Sequence, residues 1–182
     1  MLPLPQYWFG EVMMPKSVKP AVILTLLLTL VLGLSPARAR ERIHYLKEIE
    51  RKVFRFTNEV RQKHDLNPLE EDDTLNDIAR EHSDDMLKRN YFSHVSPDGE
   101  SLKDRVIPAY SRALSRAGEN IWSGHGYDYS DSSRMARVIV DSWMSSPGHR
   151  ANILNPDYNY LGVGVSAMGQ EIRATQNFIQ RR

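Results

Sequence analysis

The chain has no cysteine in 182 residues, and that absence bounds its fold more tightly than any motif does. Disulfides, thiol nucleophiles, iron–sulfur clusters and thiolate zinc sites all go with it, leaving histidine and carboxylate as the strong metal ligands. Stability has to come from a packed apolar core, which a chain of about one domain's length can build. Hydrophobic residues at 41% and charged residues at 26% fit a globular chain and not a disordered one. The 24 basic and 23 acidic side chains nearly cancel, so no basic surplus exists for nucleic acid, and no such partner is expected.

Ala21 to Leu34 is a 14-residue apolar stretch, preceded by Lys16 and Lys19 and followed by Ala37-Arg38-Ala39. A basic flank, a core of this length and an Ala-x-Ala site describe a cleavable secretory signal. The expected organisation is a signal peptide over 1–39 and one domain over 40–182, secreted to the extracellular space or periplasm. No stable membrane anchor is expected after cleavage, because the core is shorter than a span of about 20 residues. Initiation at Met14 would give a more compact signal and omit residues 1–13. Export without cysteine favours a prokaryotic protein.

Past the signal, Ile43, Leu46, Ile49, Val53, Phe56 and Val60 recur at spacings of three and four, predicting an amphipathic helix over 41–63. Asn67-Pro68 ends that region. Asp72-Asp73-Thr74 can cap a second helix, with Leu75, Ile78, Ala79, His82, Met86 and Leu87 inward and an end near Asn90. Residues 91–100 read as a loop turning at Pro97-Asp98-Gly99, followed by a short helix over 101–107. Gly118–Trp122 reads as a short strand opening into a polar loop over 123–133. Arg134–Met144 returns to helical spacing, and Ser146-Pro147-Gly148 interrupts it. Leu161–Ala167 and Glu171–Ile179 form a hairpin through Met168-Gly169-Gln170. The layered solution is α+β: a small, mostly antiparallel sheet covered by helices, with Phe54, Phe56, Leu75, Ile78, Met86, Trp143, Val163 and Phe178 in the core. Gly162 and Gly164 read as strand glycines under a packed helix.

Six histidines are the main chemical resource. His44 and His64, near the ends of the first helix, read as solvated, and His82 on an apolar face as a buried core histidine. His94, His125 and His149 lie on predicted loops, where functional groups are displayed. Ser146 can cap a following helix with Pro147 first and His149 third, where the positive end of the helix favours neutral imidazole. Glu119 lies in a strand among apolar neighbours and has to find a partner, either a pair of histidines or an arginine such as Arg150. Two imidazoles and a carboxylate could hold zinc with an open position, or relay protons. No His-Glu-x-x-His, Gly-x-Ser-x-Gly, phosphate-binding Gly-Lys-Ser/Thr or Gly-x-Gly-x-x-Gly motif occurs.

Three ordered segments carry more. Phe92-Ser93-His94-Val95-Ser96-Pro97-Asp98-Gly99, Ala117-Gly118-Glu119-Asn120-Ile121 and Trp143 to Leu154 resemble the CAP superfamily of cysteine-rich secretory, antigen 5 and pathogenesis-related proteins, also called the SCP domain. Leu161–Val165 and Ala174–Phe178 are similar to its final strands, and the match looks closest to secreted, cysteine-free bacterial members. The resemblance implies a three-layer α-β-α sandwich with a cleft containing His94, Glu119 and His149. Where the family has a second glutamate, three residues after the tryptophan, this chain has Ser146, which can donate a hydrogen bond without adding charge.

The resemblance implies a secreted binding or interaction module whose cleft takes a lipid, glycan or peptide, and His94, His149 and Glu119 are the candidate ligands should a divalent metal such as zinc assist it. The competing expectation is a metal-dependent hydrolase or peptidase with Glu119 as base and His94 and His149 as ligands. Binding ranks first, because no complete catalytic set can be assembled from these residues.

Overall fold

The computed structural model describes residues 35–110, 113–128 and 130–182, which hold five helices and four strands. In chain order these are α1 (Pro36–Lys63), β1 (Glu70–Glu71), α2 (Asp73–Lys88), α3 (Leu102–Tyr110), β2 (Leu114–His125), α4 (Ser132–Ser145), α5 (Pro147–Ile153), β3 (Tyr160–Met168) and β4 (Glu171–Arg181). The signal expected over 1–39 lies outside the described residues except at Ser35–Ala39, and the Met14 start lies wholly outside them. Arg40–Arg182 forms one compact unit. No described helix is long and apolar enough to cross a membrane.

The sheet runs β1-β3-β4-β2, with β1 parallel to β3 and the other pairs antiparallel. Neighbouring residues of β4 show how it is covered. Gln176 donates from Nε2 to Thr57 Oγ1 on α1 at 2.7 Å, while Thr175 shares a 2.8 Å hydrogen bond with Ser83 on α2. Successive strand residues point to opposite faces, so α1 and α2 lie on opposite sides of the sheet, in an α-β-α arrangement. On the α1 side, Ile49, Val53, Phe56, Met135, Ile139 and Trp143 pack with Val163, Val165, Ala174 and Phe178. On the α2 side, Leu75, Val106, Tyr110 and Ile179 form a smaller cluster.

Local chemistry explains the element ends. Asp72 caps α2, accepting the Leu75 amide on Oδ1 at 3.0 Å. Gly162 and Gly164 lie against α2 so closely that a Cβ on either would overlap the helix backbone at Leu75 or Arg80. The glycines are therefore what lets α2 settle on β3.

Three expectations need correction. The strand expected at Gly118–Trp122 runs from Leu114 to His125, because β4 pairs with it along that whole length. Its exposed Ser123 and His125 look like loop residues in sequence, yet extended pairing uses the backbone and tolerates them. A two-residue β1 also joins the sheet, although nothing in Glu70-Glu71 signals a strand. Phe54 and Ile78, expected in the core, are only partly buried at its margins.

β2 is an edge strand, but part of its free edge is covered. Its outward carbonyls at Glu119 and Ile121 accept Asn152 Nδ2 at 3.1 Å and Trp143 Nε1 at 3.0 Å. Side chains from α5 and α4 thus occupy positions that another strand would need.

Candidate functional site

His94, Glu119 and His149 are brought to the β2 edge by three different elements. His94 is held by the loop between α2 and α3. Gly99, with φ at 86°, turns that loop, and its amide donates to the Ser96 carbonyl at 2.9 Å. Glu119 comes from β2 and faces the α2 side, like its register partner Asn177. His149 comes from α5, which is docked through backbone and amide contacts: Asn120 Nδ2 donates to the His149 carbonyl at 3.1 Å, and Asn152 Nδ2 to Asn120 Oδ1 at 2.9 Å.

Glu119 is the organising residue, and both its oxygens are committed. Its side chain is 3% exposed, with Oε1 at 2.8 Å from His94 Nδ1 and Oε2 at 2.7 Å from Arg105 Nη2. A carboxylate can only accept, so His94 carries its proton on Nδ1 and turns Nε2 outward from a half-exposed ring. Arg105 also donates to the carbonyls of His94 at 3.3 Å and Glu100 at 3.2 Å, tying the loop to the strand. The sequence offers Arg150 as the arginine for Glu119, whereas the structure uses Arg105. Its signal is faint: Arg105 follows Leu102 by three residues, beside the buried Val106, on the inward side of a short helix.

Behind Glu119 lies a second layer. His82 is 2% exposed, as expected of a core histidine. Its Nε2 donates to the Ser93 carbonyl at 3.1 Å and lies 4.0 Å from Glu119 Oε1. Burial holds its pKa below the ordinary value; the Glu119 charge opposes that shift and the Arg105 charge adds to it. Tyr91 donates to Asp85 Oδ2 at 2.6 Å with its hydroxyl 3.5 Å from His82 Nδ1, and burial followed by that Asp85 bond pushes the phenol up. Neither Tyr91 nor Asp85 is singled out by sequence.

His149 falls at the third position of α5 with Pro147 first, but Ser146 makes no side-chain capping bond. The expected Ser146 cap is therefore absent, and its amide instead closes α4 onto the Trp143 carbonyl at 3.1 Å. Burial, and then the nearby charge of His94, lower the His149 pKa, so its ring keeps a lone pair into mildly acidic solution. His44, His64 and His125 are exposed, and His125 lies on β2 and not on a loop.

In this arrangement Glu119 is held by other partners, which leaves His94 and His149 as the donors a metal would use. Glu119 has no oxygen free of a partner, and a guanidinium sits 2.7 Å from one of them. Among the described residues, no group of three His, Asp or Glu side chains is placed to hold a metal ion. The same contacts make Glu119 the brace for His94. A cavity of about 360 Å³ between α1, α2 and the end of β3 shares no residue with this site. A second cavity, of about 240 Å³, adjoins the site and is lined by His82 and Arg105 together with Asp85, Glu100 and Asp104.

A family model described as the cysteine-rich secretory protein family, CAP, matches residues 54–178. The Bacillus subtilis membrane protein YlbC is 42% identical over 132 residues, covering 72% of this chain and 34% of that protein. The chain spans less than half the length of its two Bacillus subtilis relatives. Among solved structures, an extracellular SCP-domain protein from Bacillus anthracis is 34% identical, with a TM-score of 0.63 over 81% of this chain and 44% of that one. An outer surface protein from Borrelia burgdorferi is 26% identical, with a TM-score of 0.63 over 75% of this chain and 95% of that one.

Proposed function

Because this chain belongs to the CAP family of cysteine-rich secretory proteins, we propose that it is an extracytoplasmic binding module seating a saccharide of the cell envelope on His94 and His149. The observation that carries this reading is the double commitment of Glu119. With its oxygens on His94 and Arg105, what the site offers to solvent is imidazole. His94 Nε2 and the His149 ring suit hydroxyl and amide groups, and the half-exposed Phe92, two residues before His94 in the same loop, suits the C–H face of a sugar ring. A lipid would need an apolar enclosure, and the cavity that adjoins the site is lined by His82, Asp85, Glu100, Asp104 and Arg105. A peptide adding as a strand would need the Glu119 and Ile121 carbonyls, which Asn152 and Trp143 already hold. The competing hydrolase reading needs Glu119 as base, and Glu119 has no free oxygen. Location outside the cytoplasm is supported by the extracellular and outer surface relatives and by the signal-like residues 16–39.

The test is titration of a β-1,4-linked N-acetylglucosamine disaccharide into the purified protein, followed by NMR. The expected result is chemical-shift change at His94 and His149, with affinity weakened at least about tenfold in His94→Ala. A disaccharide that shifts neither residue would overturn the proposal.

A further inference from the structure

Six residues along β2 from Glu119, about 20 Å at the rise of an extended strand, stands a second cluster of the same composition. His125 Nδ1 is 2.7 Å from Glu171 Oε1, and Arg173 Nη1 is 2.8 Å from Glu171 Oε2. As at Glu119, one carboxylate joins an imidazole to an arginine. The two histidines are the solvent-facing members, His94 half exposed and His125 66% exposed. The two arginines are the buried ones, with side chains 8% and 10% exposed for Arg105 and Arg173. Each arginine also keeps a buried Nε without a hydrogen-bond partner among the described residues.

We infer that the ligand seat runs along β2 from His94 to a second subsite at His125, Glu171 and Arg173, so that the ligand is an extended saccharide chain. The inference rests on the saccharide reading of the His94 site. Strand geometry places both clusters on one face. Glu119, Ile121, Ser123 and His125 alternate onto the same side of β2, and Ser123 and His125 are exposed there. Phe92 bridges them. It precedes His94 by two residues, and its half-exposed ring lies 5.9 Å from the Arg173 guanidinium, whose register partner on β2 is Ser123. An aromatic platform between two imidazole–carboxylate pairs suits a chain that alternates C–H faces with hydroxyl edges. Glu171 stays ionised under its hydrogen bonds from Arg173 and then His125, so both its oxygens accept. The covered carbonyls of β2 leave side chains as the means of recognition along its first half.

The experiment compares β-1,4-linked N-acetylglucosamine oligomers, disaccharide to hexasaccharide, by calorimetry on the purified protein. Affinity is expected to rise with length, and His125→Ala to weaken the hexasaccharide about tenfold while leaving the disaccharide unchanged, whereas Phe92→Ala weakens both. Both residues are exposed, and an unchanged NMR fingerprint establishes that the variants are folded. Equal affinity for short and long chains, or no effect of His125→Ala on the hexasaccharide, overturns the second subsite and leaves the His94 reading intact. No binding of any oligomer overturns both. Length-dependent binding of an extended peptide in place of the oligomers overturns the saccharide assignment.

Discussion

Glu119 does its work by being paired, and the energetic consequence falls on Arg105. Replacing the carboxylate leaves a guanidinium only 8% exposed without its counter-charge, and His94 without a charged acceptor. Glu119→Gln is therefore expected to cost about 2–3 kcal/mol in urea unfolding, toward the lower side for a broken buried pair because Arg105 keeps two carbonyl partners. A loss below about 0.5 kcal/mol would contradict the pairing. The two depressed histidines set the acid response. Burial lowers His82, and burial with the His94 charge lowers His149, both from 6.5. The unfolded chain takes up these protons more readily than the folded one. Stability from this source is complete above that value and declines as pH falls through it toward the folded pKa values. The urea midpoint should drop between about pH 7 and pH 5, and drop less in His82→Asn. A midpoint constant over that range would contradict the assignment.

At the scale of elements, contact between α2 and β3 depends on two missing side chains. A Cβ on Gly164 would meet the backbone of Ala79 and Arg80, which cannot step aside as a side-chain tip can. Gly164→Ala should cost about 2 kcal/mol or more in thermal or urea unfolding. Gly148, inside α5, offers the comparison, because nothing lies within 4 Å of a Cβ there. Gly148→Ala should stabilise by up to about 0.5–1 kcal/mol, since the helix then loses less backbone entropy on folding. Equal effects of the two substitutions would mean that α2 does not rest on β3 as described. The edge of β2 shows the same economy of parts. Trp143 fills the core and spends its one polar hydrogen on the Ile121 carbonyl. One residue thereby anchors α4 and closes part of an edge.

For the whole molecule, the domain that carries the site begins where the signal-like segment ends. Arg40–Arg182 holds both apolar clusters and every residue of the candidate site within one compact unit. The exported product is therefore expected to start at Arg40, or within a few residues of it, without the apolar stretch 21–34. N-terminal sequencing or intact mass of the product checks this, and retention of the stretch would replace the signal with an anchor. Without disulfides, stability comes from the core on the α1 side of the sheet and the smaller one on the α2 side. Phe178→Ala, at a 0% exposed position on β4, should cost about 3–5 kcal/mol.

What the sequence determined by itself was what short-range periodicity and capping encode. The apolar spacing of α1, the Asp72 cap of α2, the burial of Trp143, the β3–β4 hairpin and the close approach at Gly162 and Gly164 were all legible. Each depends on residues a few positions apart or on steric need at one position. The family segments also put His94, Glu119 and His149 in view together. Tertiary structure alone decided what those residues are to one another. His94 and Arg105 stand 25 and 14 residues from Glu119, and no local pattern records that both reach the same carboxylate. The extent of β2 was likewise set by its pairing with β4 and not by its own side chains. A local signal arises from the turn or strand that carries it. The role of a buried charge depends on which distant groups the fold carries to it, and for Glu119 those groups are His94 and Arg105.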